Sequence, residues 1–207
     1  MVWDIFAVIG TIAFSLSGAV VAMEEDYDIF GVFILGFVTA FGGGAIRNLL
    51  IGYPAQLIWL QTPLFFTASL AITLIYIFPR LLRYWPKVED VFDAIGLAAF
   101  AIQGALIAVH IDAQPIAIVM AALFTGIGGG IIRDILARRQ PLVFRREVYA
   151  FWAVLGGICL LIPTVQESFW LQIGLLIFLL SCRLIAIHYK WQLPRRRWRE
   201  IFPEKYE

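Results

Sequence analysis

The chain is poor in the residues that build metal, haem and nucleophilic sites. Its 207 residues include two histidines and two cysteines, and only 15% are charged. Cys159 and Cys182 lie inside apolar segments, where a free cysteine ordinarily packs as a small hydrophobic residue. The sequence contains neither a phosphate-binding glycine loop nor a hydrolytic triad. We therefore expect a protein that is not an enzyme and that binds no cofactor.

The composition is far more apolar than that of a soluble domain. Hydrophobic residues make up 61% of the sequence and the mean hydropathy is +0.86, whereas soluble domains are roughly half apolar and a quarter charged. A helix of about 20 apolar residues crosses a hydrocarbon core of about 30 Å. The sequence predicts an all-α membrane protein with seven such helices, the sixth being the shortest: Ile5–Met23, Ile29–Ile51, Leu57–Phe78, Val91–Val109, Pro115–Leu136, Val148–Pro163 and Phe169–Tyr189.

Basic residues are concentrated in the connections on one side of these predicted helices. The connections on the other side, near residues 52–56, 110–114 and 164–168, contain no lysine or arginine. Because positive residues favour the cytoplasmic side, we expect the amino terminus outside and the carboxyl terminus in the cytoplasm. The 13 basic residues on the cytoplasmic side are Arg80, Arg83, Lys87, Arg138, Arg139, Arg145, Arg146, Lys190, Arg195, Arg196, Arg197, Arg199 and Lys205.

Two eight-residue segments are nearly identical and lie 86 residues apart. Residues 41–48 read FGGGAIRN and residues 127–134 read IGGGIIRD, and the same offset pairs Gly18 with Gly104. Each copy contains three predicted helices, an odd number, so the second copy is inverted in the membrane. A pseudo-two-fold axis in the membrane plane is typical of transporters and of some channels.

This duplication divides a single transmembrane domain, residues 1–207, into four parts. We expect a first three-helix repeat at 1–82, an inverted second repeat at 87–166, an extra seventh helix at 167–190 and a basic cytoplasmic tail at 191–207.

Three consecutive glycines are unusual inside an apolar helix. Each glycine costs about 1 kcal/mol relative to alanine. Backbone groups freed by a break are tolerated at membrane depth only when they are buried in protein or face a water-filled cavity. We therefore expect the second and fifth helices to be broken at residues 42–44 and 128–130, with the breaks facing inward. The alternative is a tight crossing between these two helices without a pore.

An arginine follows each triglycine by three residues, and a central membrane arginine costs about 2.5–3.5 kcal/mol. Arg47 and Arg133 share a helix face with their own glycines and lie nearer the end of the helix than its middle. We expect each guanidinium to bind carbonyls freed at the break or a carboxylate. The candidate carboxylates are Asp93 and Asp134. The alternative for both arginines is snorkelling to the interface.

The acidic residues differ between the two copies. Asp134 corresponds to the neutral Asn48, so a carboxylate site at this position is single. The alternative for Asp134 is a pair with Arg138, one turn along the helix. The acidic run at residues 24–28 is expected to be a solvated loop, with a cation-collecting vestibule as the alternative.

The sequence has two three-helix repeats and a seventh helix, with a triglycine and an arginine in the second and fifth helices. With these features it resembles the prokaryotic branch of the trimeric intracellular cation (TRIC) channel family, over essentially residues 1–190. The resemblance implies a homotrimer in the lipid bilayer of the prokaryotic plasma membrane. Each subunit has its own pore, gated around the kinked second and fifth helices. The implied permeant ions are monovalent cations, chiefly potassium, and these are the only metal ions expected. The short basic tail does not indicate a nucleic-acid partner.

The expected pore and gating residues form one set. The resemblance carries over the motif positions Gly42, Gly43, Gly44, Arg47, Gly128, Gly129, Gly130 and Arg133. Polar residues on the first, second, fourth and fifth predicted helices are further candidates: Ser17, Gln103, Asn48, Asp134, Asp93, Thr39 and Thr125. For Ser17 and Gln103 the alternative is hydrogen bonding between helices.

Two other functions remain open. A secondary transporter for a small zwitterion such as glycine would use a helix amino terminus and an arginine to hold the carboxylate. A noncatalytic membrane scaffold is the third possibility, and it leaves the paired arginines unexplained.

Overall fold

The protein is all-helical in a computed structural model that describes residues 2–82, 88–145 and 148–192. Four central helices form its core: α1 packs on α4, α2 packs on α5, and each of these pairs contacts the other. The helices are α1 (Val2–Glu24), α2 (Ile29–Ile51), α3 (Thr62–Ile77), α4 (Val88–His110), α5 (Pro115–Leu136), α6 (Leu142–Arg145), α7 (Ala150–Cys159), α8 (Pro163–Glu167) and α9 (Phe169–His188).

Five of these helices are long and apolar enough to cross a membrane, namely α1, α2, α4, α5 and α9, while α3 and α7 are shorter apolar helices. Large apolar side chains such as Phe66 on α3 and Phe178 on α9 are exposed on the outside of the bundle. A solvent of lipid tails accepts such a surface without penalty. The protein is therefore a multi-pass membrane protein.

Prolines shorten the third and sixth predicted helices. The third was expected from Leu57, but α3 begins at Thr62 after a separate 3-10 helix, Ala55–Leu60, and Pro63 occupies its first turn. Proline is favoured there because its missing N–H would have no helical partner. The sixth ends at Cys159, since Pro163 forces the preceding Ile162 into an extended conformation.

The triglycines do not break their helices. Both α2 and α5 are continuous α-helix through residues 42–44 and 128–130, so the predicted breaks are absent. Instead, a Cβ on Gly43 would collide with the Thr125 carbonyl oxygen, and a Cβ on Gly129 would collide with the Thr39 carbonyl oxygen. The glycines permit backbone contact between two helices, and this packing offsets their low helix propensity.

Equivalent residues of the two repeats make equivalent contacts with the opposite repeat, as a two-fold axis requires. A Cβ on Gly10 would meet the Phe100 ring, and a Cβ on Gly96 would meet the Phe14 ring. Both pairs of equivalent positions are 86 residues apart. The Phe14 and Phe100 rings also contact each other edge to face, with centroids 5.2 Å apart. The duplication is therefore present in the packing as well as in the sequence.

The remaining helices surround this core unequally. In the first repeat, α3 packs on α1 and α2. In the second repeat, α7 packs on α5 and α4, and the added helix α9 covers α4 and α7. The connection at 83–87 and most of the predicted basic tail, from residue 193 onward, lie outside the described residues.

Candidate functional site

The crossing of α2 and α5 forms the centre of the site. The helices run antiparallel, because Thr39 lies against Gly129 while Gly43 lies against Thr125. The Thr39 and Thr125 hydroxyls each donate a 2.6 Å hydrogen bond within their own helix, to the carbonyls of Leu35 and Ala121. The two threonines are thus packed into the crossing. Arg47 and Arg133, which follow the glycines, lie at opposite ends of it.

At one end of the crossing, called the Arg133 end, Arg133 is held by carboxylates. Its Nη1 donates to Asp93 Oδ1 at 2.9 Å and to the Ser17 hydroxyl. Its Nε donates to Asp134 Oδ1 at 2.8 Å, and its Nη2 lies 2.8 Å from the same oxygen. All four residues are buried. Since Ser17, Asp93 and Arg133 lie on α1, α4 and α5, this network joins three core helices.

Further contacts extend this network to the later helices. Asp134 Oδ2 accepts a 2.9 Å hydrogen bond from the Leu142 amide, at the start of α6. A Cβ on Gly130 would come within 3.1 Å of the Tyr149 hydroxyl and 3.3 Å of Asp93 Oδ1, so both groups lie against this glycine. The Tyr149 ring lies under the Arg183 guanidinium of α9, at 4.7 Å.

A second cluster of ion pairs closes the same end of the molecule. Arg139, just beyond α5, donates to Glu25 at 2.6 Å, to Glu24 at 2.9 Å and to Glu89 at 3.0 Å. Partial burial lowers the pKa of Arg139, but the hydrogen bonds to Glu25 and Glu24 raise it by more, so the guanidinium stays charged. We call these four residues the Arg139 clamp. Between the clamp and Arg133, the cavity measures about 10 Å³, hardly the space of one water.

The other end of the crossing, called the Arg47 end, has no equivalent carboxylates among the described side chains. Arg47 is only 2% exposed. Its Nε and Nη2 donate to Asn48 Oδ1 at 3.0 and 2.7 Å, and its buried Nη1 has no hydrogen-bond partner in the part of the chain that the structure describes. The positions that correspond to Asp93 and Asp134 are Ala7 and Asn48. One repeat thus neutralises its arginine, and the other does not.

Two neighbouring cavities occupy the Arg47 end. A small one of about 20 Å³ is lined by Arg47, Thr11, Gln61 and Gln103, among others. A larger one of about 460 Å³ shares the two glutamines with it and extends to Tyr53 and His110. The space that is closed at the Arg133 end is therefore open at the Arg47 end.

Sequence comparison identifies relatives along the whole chain. A family model described as "Glycine transporter" matches residues 4–80 and 90–164. The UPF0126 membrane protein YvgT of Bacillus subtilis is 54% identical over 96% of this chain and 98% of its own length. The UPF0126 inner membrane protein YadS of Escherichia coli is 36% identical over 90% of this chain and 92% of its own length.

Solved structures of similar proteins are TRIC channels. One TRIC cation channel is 39% identical, with a TM-score of 0.81 over 95% of this chain and 98% of that one. A prokaryotic TRIC channel in 0.5 M KCl is 31% identical, with a TM-score of 0.84 over 93% of this chain and 99% of that one. The chain belongs to the prokaryotic TRIC family. This membership agrees with the resemblance seen in the sequence.

In this TRIC-family chain, the structure groups the predicted residues into two unequal sites. Ser17, Asp93 and Asp134 meet Arg133, and Gln103 and Asn48 lie at the Arg47 end. The expected carboxylate partners of Arg133 are thus both present. Four of the six glycines and both threonines form the crossing: Gly42, Gly43, Gly128, Gly129, Thr39 and Thr125. Gly44 and Gly130 lie outside it, since Gly44 faces its own Arg47 and Gly130 faces Tyr149 and Asp93.

Three alternatives from the sequence are resolved by these contacts. Asp134 pairs with Arg133 rather than Arg138. Neither Arg47 nor Arg133 snorkels, since each is only 2% exposed. The run at residues 24–28 is not simply solvated, because Glu24 and Glu25 pair with Arg139.

Several residues of the TRIC-family site were missed from the sequence. Arg183 is a lone charged residue in the seventh apolar segment, and its charge at that depth was a usable signal. Tyr149, Gln61 and the clamp residue Arg139 carry no such signal. Their positions depend on how α6, α7 and the 3-10 helix fold back on the core.

Proposed function

We propose that this chain is a channel for monovalent cations, with potassium as the main permeant ion. The central observation is a membrane bundle whose buried polar residues run from the Arg47 cavities through the α2–α5 crossing to the Arg133 network. Polar residues are expensive inside a membrane and mark ion or substrate paths. The fold likeness to TRIC cation channels, at 31–39% identity, supports the same function.

The charges at the Arg133 end support cation over anion passage. Two aspartates surround Arg133 and three glutamates surround Arg139, so carboxyl groups outnumber guanidinium groups. A mouth lined by carboxylates raises the local concentration of cations. Arg133 therefore does not present an uncompensated positive charge to a passing ion.

The small cavities at the crossing correspond to a closed gate in this proposal. A space of about 10 Å³ between Arg133 and the Arg139 clamp does not admit a hydrated ion. Opening then requires α5 to move relative to α1 and α4, which breaks the contacts of Arg133 with Ser17 and Asp93. The gate of each subunit is formed by its own α2 and α5, in the region of their glycines and arginines.

Assembly and orientation complete the proposal. We infer a homotrimer with one pore per subunit in the prokaryotic inner membrane, because similar structures are described as trimeric and the E. coli relative as an inner membrane protein. The distribution of basic residues supports an amino terminus outside and an Arg133 end that faces the cytoplasm. Mass measurement of the purified complex in a mild detergent tests the trimer.

Planar-bilayer recording tests the channel. In a KCl gradient we expect single-channel steps whose reversal potential lies near the potassium equilibrium value, with sodium as the comparison cation. Gln103→Leu removes a polar lining residue shared by both Arg47 cavities and should lower conductance. The matched control Gln114→Leu changes an exposed residue just before α5. Absence of current steps at all voltages would contradict the proposal.

Transport of a small zwitterion such as glycine is the second candidate. The description of the matching family model and the position of Arg47 in the lining of a cavity favour it. Vesicles preloaded with unlabelled glycine should then accumulate labelled glycine by exchange. A pore produces no such counterflow.

A further inference from the structure

The Arg47 guanidinium is a buried cation that receives no carboxylate from the described side chains. Among the described side chains, its only partner is the neutral amide oxygen of Asn48. In the other repeat, Arg133 receives both Asp93 and Asp134. The two arginines are equally buried, at 2% exposed each. The same motif is therefore electrically balanced in one copy and unbalanced in the other.

A buried charge without an opposite charge beside it destabilises the protein. Taking a guanidinium out of water is strongly unfavourable unless an opposite charge compensates it. The buried Nη1 adds a second penalty, because its N–H groups have no acceptor among the described residues. A water would satisfy the hydrogen bonds of Nη1 but would leave the charge of Arg47 uncompensated.

The adjoining cavity has the chemistry of an anion site. Its polar lining consists of Arg47, the amides of Gln61 and Gln103, the hydroxyl of Thr11, and Thr125, whose hydroxyl already donates to the Ala121 carbonyl. Amide and hydroxyl groups can donate hydrogen bonds to an anion. No carboxylate lines this cavity or the larger one beside it, within the described part of the chain.

The size of the cavity limits what can bind. About 20 Å³ accommodates one group of the size of a water. A single guanidinium also compensates only one negative charge. The neighbouring cavity of about 460 Å³ provides space for the remainder of a small molecule or for hydrated ions.

We propose that the Arg47 guanidinium binds a small monovalent anion, either a halide or the carboxylate of a small molecule, in the cavity that Arg47 lines. The anion replaces the charge that Asp93 and Asp134 supply to Arg133. It also cancels the positive field of Arg47 at that end of the bundle. This proposal does not rest on ion conduction, since the site exists in the closed protein.

Chloride binding is the first test, carried out on the purified full-length protein in detergent. Chloride replaces gluconate at constant potassium and ionic strength, while tryptophan fluorescence follows thermal unfolding and chloride-35 NMR follows line broadening. We expect a saturable rise in the unfolding temperature and broadening that unlabelled bromide reverses. Parallel titrations with formate and glycine distinguish a halide site from a carboxylate site, because the preferred ligand saturates at the lowest concentration.

Three variants locate the effect. Arg47→Gln should weaken chloride binding by about thirtyfold or more, because a buried charge partner is lost. Asn48→Asp supplies the carboxylate found at the equivalent Asp134, so it should remove the chloride dependence even while Arg47 is present. Arg138→Gln changes an exposed arginine and serves as the control.

The outcomes are decisive in either direction. Broadening that is unchanged in Arg47→Gln and Asn48→Asp, or an unfolding temperature of the wild type that none of the anions alters, would overturn the anion site. Neither measurement depends on current through the protein. A failure of the channel proposal therefore leaves this test intact, and the reverse also holds.

Discussion

Arg133 Nη1 and Asp93 Oδ1 lie 2.9 Å apart in a buried ion pair that ties α5 to α4. Asp93 is fully buried and Arg133 is 2% exposed. Salt does not screen such a pair effectively, and removing one member leaves the other buried and uncompensated. The pair therefore contributes both to stability and, in the channel proposal, to the closed state.

Asp93→Asn should destabilise the closed protein and favour opening. Breaking a buried ion pair costs about 3–5 kcal/mol, and we expect the lower part of this range because Asp134 still contacts Arg133. Thermal unfolding in detergent measures the loss, and bilayer recording measures the open probability. Asp112→Asn is the matched control, since it makes the same change in an exposed turn. An unfolding temperature equal to that of the wild type would show that the pair has no stabilising role.

The glycines of one motif should differ sharply in their tolerance of alanine. Gly43→Ala should destabilise the protein by about 1–3 kcal/mol, because its Cβ would collide with the Thr125 carbonyl oxygen of α5. Gly44→Ala is the control within the same triplet. Among the described residues, a Cβ on Gly44 would meet only Arg47 Nη2, at 3.7 Å. The higher helix propensity of alanine should therefore stabilise the protein by about 1 kcal/mol.

Thermal unfolding of the two glycine variants, measured side by side, checks this difference. Gly129→Ala extends the test to the other repeat, where the Thr39 carbonyl oxygen occupies the equivalent place. Equal effects of Gly43→Ala and Gly44→Ala would show that backbone flexibility, and not the close crossing, explains the triglycine.

The fold was largely predictable because its two strongest determinants are local in the sequence. Apolar length marks the helices, and α2 and α5 have the predicted limits. The offset of 86 residues marks the duplication. The error at the triglycines has a physical cause: helix propensity disfavours glycine, but contact between α2 and α5 outweighs that preference. No local pattern reports such a contact.

The candidate site was predictable where charge is rare and less so elsewhere. Arg133 and Asp93 stand out because ionisable groups inside apolar segments need partners. Arg139 does not stand out, because basic residues at helix ends are expected from topology alone. Its three glutamate partners come from the ends of two other helices, so only the folded chain brings them together.

Arg183 and Tyr149 should be energetically coupled. The guanidinium lies 4.7 Å from the ring centroid in a buried setting, where a cation–π contact contributes about 2 kcal/mol. We expect a double-mutant cycle of Arg183→Met and Tyr149→Leu to give a coupling energy of about 1–2 kcal/mol in unfolding free energy. Cys182→Ser, next to Arg183, is a control that leaves the contact in place. Additive effects of the two substitutions would contradict the coupling.

The Arg139 clamp should respond to salt, unlike the Arg133 network. Arg139 and its three glutamates are partly exposed, so high salt screens them and each pair contributes at most about 1 kcal/mol. Arg139→Gln should therefore change stability modestly yet raise the open probability, because Glu24, Glu25 and Glu89 then repel one another at the mouth. Recordings at low and high KCl should show this increase shrinking as salt rises. Arg138→Gln, at the exposed neighbouring arginine, should leave the open probability unchanged at both salt concentrations. If Arg139→Gln behaves in the same way as Arg138→Gln, the clamp has no part in closing the Arg133 end.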